Sequence, residues 1–119
     1  MTPYILVVDD EPGIVQFVRG VLEEEGFDVT TAADGVRAVE VAAGRAPDLV
    51  VLDMSLPRLD GVGVAAELRR RHGEDVKILL ITADGRAAEK AQQVRAFDYL
   101  AKPFDLNRLL DKVDAALKP

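Results

Sequence analysis

Five apolar runs of strand length alternate with helical stretches along this 119-residue chain, and the alternation leaves few folds open. Repeated βα units pack as an open parallel sheet with helices on its faces. The runs are Tyr4–Val8, Asp28–Ala32, Leu49–Leu52, Val76–Ile81 and Phe97–Ala101. Leu49–Leu52 is continuously apolar, as a central strand buried on both faces should be, whereas Asp28–Ala32 is more polar and suits a sheet edge. Pro12 opens the first helix, which lines up Ile14, Phe17, Val18, Val21 and Leu22 on one face. Gly26 stops it, and Glu23, Glu24 and Glu25 oppose the helix dipole there, so they read as a solvated patch. Asp34-Gly35 turns into a short helix over Val36–Gly44. Further helices are expected from Gly61 to about Arg71 and from Asp84 to Val94. Asp105 caps the last, which aligns Leu106, Leu109, Leu110, Val113 and Leu117. One domain over residues 1–119 is expected, large enough to bury a core without disulfides or metal staples.

Composition narrows the function classes. There is no cysteine, so disulfide and thiolate chemistry are excluded, and a reducing cytoplasm is the expected location. Met1-Thr2-Pro3 lacks the basic-then-apolar order of a signal peptide, and no apolar stretch approaches the roughly 18–20 residues of a membrane span. A net charge of −6 argues against nucleic acid as a direct ligand, because phosphate backbones reward clustered Lys and Arg. The one basic run, Arg69-Arg70-Arg71-His72, falls at a helix end, where cations complement the dipole. His72 reads as a surface residue. Walker-type and dinucleotide glycine patterns are absent, and Asp34-Gly35, Asp60-Gly61 and Asp84-Gly85 are turn signals.

The strand ends carry the chemistry. Asp9 and Asp10 follow the first run, Asp53 the third, Thr82 the fourth and Lys102-Pro103 the fifth. In an open parallel sheet the strand C-termini share one edge, where such sheets build their sites. Each residue alone has an ordinary reading: an Asp-Asp pair makes a turn or cap, and Thr82 caps the next helix. Asp53 is different, because a carboxylate ending the most apolar strand is costly to bury unless it meets a cation. Asp10 and Asp53 can each give Mg²⁺ one oxygen, with Asp9 close behind. A carboxylate beside a metal can attack phosphorus to give an aspartyl phosphate. Lys102 suits a phosphate counter-charge, and the Thr82 hydroxyl suits a phosphate oxygen.

Val7-Val8-Asp9-Asp10-Glu11-Pro12, with Asp53-Met54-Ser55-Leu56-Pro57-Arg58-Leu59-Asp60-Gly61, resembles the receiver domain of two-component response regulators. Ile81-Thr82-Ala83 and Tyr99-Leu100-Ala101-Lys102-Pro103-Phe104 complete the pattern, in order and over essentially the whole chain. The resemblance implies a (βα)5 flavodoxin-like doubly wound sheet of five parallel strands in the order 2-1-3-4-5. It implies that Asp53 accepts a phosphoryl group from a histidine kinase or a histidine phosphotransfer protein, an acceptor role rather than turnover catalysis. It implies direct Mg²⁺ ligation by Asp10, Asp53 and the Ser55 carbonyl, with Asp9 acting through water. Lys102 would bridge to Asp53 before phosphorylation and to the phosphoryl group after it, through a cis Lys102–Pro103 bond. Phosphorylation adds charge that Mg²⁺ and Lys102 must absorb, and would draw Thr82 inward so that Tyr99 fills the vacated space. Helix four, strand five and helix five would then be re-shaped for a downstream protein target, on a monomer or a phosphorylation-promoted dimer. Tyr99 also reads as a half-buried strand aromatic whose hydroxyl reaches water. Arg95 stands where many relatives have Gly, and Phe97 where an acidic residue is frequent, so the turn and surface there are expected to differ. Ser55 leaves a water path to the acyl phosphate and Asp84 orients water in it, which predicts a lifetime of minutes.

Other classes compete. A flavodoxin-like electron carrier would need a Ser, Thr and Gly-rich phosphate loop where this chain has Asp9-Asp10-Glu11. A phosphoaspartate phosphatase shares the nucleophile but turns over small phosphate esters. A phosphorelay intermediate, or a receiver cut from a longer DNA-binding regulator, keeps the chemistry and changes the context. Met1 and the complete last helix favour a stand-alone receiver.

Overall fold

The computed structural model describes residues 2–56, 58–83 and 85–118. Strands β1 (Tyr4–Val8), β2 (Asp28–Ala32), β3 (Leu49–Asp53), β4 (Ile78–Thr82) and β5 (Asp98–Ala101) alternate with helices α1 (Pro12–Glu24), α2 (Gly35–Ala42), α3 (Gly61–His72), α4 (Ala87–Gln93) and α5 (Leu106–Leu117). All four strand pairings are parallel, in the order β2-β1-β3-β4-β5. This is the doubly wound sheet that the βα alternation and the resemblance imply. The order reverses between β1 and β3, and ligands bind outside the strand ends at such a switch point.

Side chains alternate between the two faces of a strand, and the core divides accordingly. Leu6, Val8, Val50, Leu52, Ile78 and Leu80 pack with Ala38 and Ala42 of α2, Val64 and Leu68 of α3, and Ala91 of α4. Ile5, Val7, Leu49, Val51, Leu79 and Ile81 pack with Val18 and Leu22 of α1 and Leu109 and Val113 of α5. β1, β3 and β4 are buried throughout, whereas edge strand β2 buries only Val29 and Ala32.

Several expectations need correction. Phe17 is 41% exposed, turned away from the core face that Val18 and Leu22 reach, and meets Phe104 at 6.4 Å between ring centroids. Leu106 is 42% exposed, being in the first turn of α5, ahead of the core-facing Leu109. The fourth run pairs only from Ile78, and its strand extends to Thr82. Phe97 precedes β5. α4 starts at Ala87, three residues beyond the expected Asp84, which lies outside the described residues. α2 spans Gly35–Ala42 rather than Val36–Gly44, since Asp34 caps it by accepting the Arg37 amide.

Arg69 is the largest departure. The basic run does fall in the last turn of α3, where its cations complement the dipole, but Arg69 within it is only 8% exposed. Its guanidinium donates to the carbonyls of Val94, Val76 and Arg95, closing the C-terminal end of α4 onto α3. Arg95 itself holds φ 52°, so the turn before β5 takes a non-glycine residue in the left-handed region. His72 is half-buried, its Nε2 2.7 Å from the Ala42 carbonyl, and not simply a surface residue. Among the described residues no helix is long and apolar enough to cross a membrane.

Candidate phosphoacceptor and metal site

Register sets the site. Val8 pairs with Leu52, Asp53 with Ile81, and Thr82 with Ala101, so the residues that end β1, β3, β4 and β5 arrive at one edge. β1 stops at Val8, and the Asp9 amide donates to the Ala32 carbonyl (3.2 Å). The Asp9 carboxylate folds back to accept the Glu11 amide (2.9 Å), which starts the turn into α1. Asp53 Oδ1 accepts the Ser55 amide (3.3 Å). The Lys102 amide donates to the Thr82 carbonyl (2.8 Å), holding the end of β5 against β4, and the Lys102–Pro103 bond is cis.

Asp9 and Asp53 are buried, at 0% and 4% exposure, and Asp10 is exposed at the mouth. Each offers a carboxylate oxygen, and these lie within 4.8 Å of one another. Opposite them the Lys102 ammonium sits 2.9 Å from Asp9 Oδ2, 2.8 Å from Glu11 Oε1 and 3.7 Å from Asp53 Oδ2. Burial, and then the neighbouring Asp9 charge, push the Asp53 carboxyl up to about 6 against the pull of Lys102. Burial works against the Lys102 charge, but Glu11 and Asp9 outweigh it and hold its pKa above the ordinary lysine value. An all-oxygen set of carboxylates, one raised in pKa by burial and then by like charge, is the donor chemistry of a hard divalent cation such as Mg²⁺.

The chain matches the family described as response regulator receiver domain over residues 5–114. It belongs to that family, the switch modules of two-component signalling. The receiver is 41% identical over 119 residues to the DNA-binding dual master transcriptional regulator RpaA of Synechocystis, covering 98% of this chain and 49% of that protein. It is 42% identical over 116 residues to response regulator MprA of a Mycobacterium species, covering 96% and 50%. The receiver thus spans about half the length of these curated relatives. Among solved structures, the chemotaxis protein CheY4 of Vibrio cholerae superposes with a TM-score of 0.90 at 29% identity, covering 98% of this chain and 100% of that one. The receiver domain of a Pseudomonas aeruginosa sensor histidine kinase gives 0.88 at 32% identity, covering 98% of each, and holds a magnesium ion coordinated in its active site cleft.

The receiver brings together the predicted Asp9, Asp10, Asp53, Thr82 and Lys102. Thr82 is 1% exposed at the end of β4. Ser55 is exposed just beyond β3, and Pro103 is exposed after β5. Tyr99 is 39% exposed on β5. Asp84, expected to orient water, lies outside the described residues. One expectation shifts: Lys102 is nearer to Asp9 and Glu11 than to Asp53. In the sequence Glu11 is one residue of the motif after β1, and its reach to a lysine 91 positions away has no local signal.

Proposed function

We propose that this receiver accepts a phosphoryl group on Asp53 from a phosphohistidine donor, either a histidine kinase or a histidine phosphotransfer protein. The observation that carries the reading is the meeting of three carboxylates within 4.8 Å with one buried ammonium at the switch point of the sheet. Asp10, Asp53 and the Ser55 carbonyl would hold a divalent cation, with Asp9 behind, and when bound it would neutralise charge on the incoming phosphoryl oxygens. Asp53 forms the new oxygen–phosphorus bond as the donor's phosphorus–nitrogen bond breaks, its electron pair leaving with the imidazole. Lys102 moves from carboxylate to phosphoryl oxygen as a point charge. Thr82 donates to another phosphoryl oxygen, and Tyr99 turns inward as Thr82 moves, re-shaping α4, β5 and α5 for a protein target. The domain is an acceptor that hydrolyses its own acyl phosphate slowly.

A net charge of −6 favours protein over nucleic acid as this chain's direct partner. Cytoplasmic location follows from a cytoplasmic donor, and phosphorylation-promoted dimerisation is compatible with the exposed ring of Tyr99. Service as a phosphorelay intermediate, or as the regulatory half of a longer DNA-binding regulator, uses the same chemistry.

Intact mass after incubation with Mg²⁺ and acetyl phosphate tests the site. A single Mg²⁺-dependent phosphate adduct on wild type and none on Asp53→Asn is expected. An adduct on both would move the acceptor elsewhere. Exposed Ser55 leaves water a path to Asp53, so the adduct should decay within minutes, and survival for many hours under Mg²⁺ would contradict that.

A further inference from the structure

We propose that Glu11 is a positioning residue that, together with Asp9, holds the Lys102 ammonium off Asp53 and so keeps the Asp53 carboxylate open to a divalent cation. The inference rests on the phosphoacceptor reading above. Lys102 Nζ donates to Glu11 Oε1 at 2.8 Å and is ion-paired with Asp9 Oδ2 at 2.9 Å without a hydrogen bond, while Asp53 Oδ2 is 3.7 Å away, outside hydrogen-bond distance. An ammonium has three donors and no acceptor, so its place among three carboxylates is set by which of them holds it best.

Asp9 and Glu11 act as one unit. Asp9 Oδ1 accepts the Glu11 amide at 2.9 Å, fixing the backbone from which the Glu11 side chain reaches Lys102. The other Asp9 oxygen faces the same ammonium. Glu11 is not one of the three carboxylates whose oxygens converge, so its contact is with the lysine rather than with the cation's position. Its side chain is 59% exposed while that of Lys102 is 9% exposed, so the tether runs from the rim into the pocket.

An ammonium and a divalent cation compete for one carboxylate. Were Lys102 in direct contact with Asp53, a cation would have to displace it, and Glu11 removes most of that cost beforehand. A half-exposed pair is weak, which makes it releasable: Lys102 leaves Glu11 when a phosphoryl group offers a stronger acceptor.

Mg²⁺ titration of the metal-free protein, followed by amide chemical shifts, tests the tether in wild type, Glu11→Gln, Lys102→Met and the double variant. Glu11→Gln should weaken Mg²⁺ binding about threefold when Lys102 is present, the scale of a rim ion pair. It should change little in the Lys102→Met background, where nothing is left to hold. An equal loss in both backgrounds would mean that Glu11 contributes only its charge, and unchanged or tighter binding in the first would also overturn the tether. Should Lys102→Met not fold, Glu11→Asp decides, since it keeps the charge and shortens the reach: the tether predicts weakening like Gln, charge alone predicts wild-type binding. Failure of wild type to bind Mg²⁺ would instead overturn the phosphoacceptor reading itself.

Discussion

Asp53 sits where its own charge is unwelcome until a cation arrives. Burial, and then the Asp9 charge, push its carboxyl up to about 6 in the metal-free fold, from an ordinary aspartate value of about 3.9. The folded state therefore binds more protons than the unfolded chain between about pH 4 and 6, and metal-free stability falls as pH rises through that window. The shift corresponds to about 3 kcal/mol. Asp53→Asn should flatten this part of the stability–pH profile and raise metal-free stability at pH 7, read by denaturant melts; an unchanged slope would contradict the assignment. Arg69 is a second buried charge, spent on the carbonyls of Val94, Val76 and Arg95. Arg69→Met should cost about 2–4 kcal/mol by stranding those acceptors, and a loss under 1 kcal/mol would make it a surface residue after all. The contrast between Asp53 and Arg69 shows what was legible. A carboxylate at the end of an apolar strand announces a cation because strand register is local. Arg69 stands in a run of four basic residues, and only the arrival of the α4 carbonyls distinguishes it from its neighbours.

Among the helices, one substitution has opposite consequences in two places. Gly20 lies in α1 with nothing within 4 Å of where a Cβ would stand. Gly35 opens α2, and a Cβ there would lie 1.8 Å from the Leu59 carbonyl oxygen. Gly20→Ala should stabilise by about 0.5–1 kcal/mol through helix propensity alone. Gly35→Ala should destabilise by about 1–3 kcal/mol through overpacking. Thermal melts giving both changes the same sign would contradict this packing. The close approach at Gly35 belongs to a latch between α2 and the segment before α3. Arg58 holds φ 66° and grips the Asp34 carboxylate with one nitrogen 2.9 and 2.8 Å from its two oxygens. Asp34 also caps α2, so one carboxylate starts a helix and pins the loop that follows β3. Asp34-Gly35 was legible as a turn. Its meeting with Arg58 was not, because neither residue carries periodicity and the pairing spans 24 positions. The buried centre and the polar edge were legible because period-2 and period-3.6 patterns report burial directly; the strand order was legible only through the resemblance to the receiver family. Helix ends slipped by one to three residues where a cap or a neighbouring loop decided them.

Over the whole molecule, a cation that binds only the folded chain shifts the folding equilibrium. Mg²⁺ at 100 times its dissociation constant should add about 2.7 kcal/mol, roughly 10 °C in Tm for a chain of this size. Asp53→Asn should lose most of that shift, and an Mg²⁺ response equal to wild type would place the cation away from Asp53. The sheet order bears on more than binding. The charged groups of the site come from residues 9 and 10, 53 and 102, at the ends of β1, β3 and β5, with β4 lying between the last two. β5 docks on β4 alone, at the far edge from β2. During translation, then, the acidic half of the pocket emerges early and stays without its ammonium until residue 102 has left the ribosome and β5 has closed the row. The ammonium that the proposed acceptor chemistry uses is thus the last charged group of the pocket to be made.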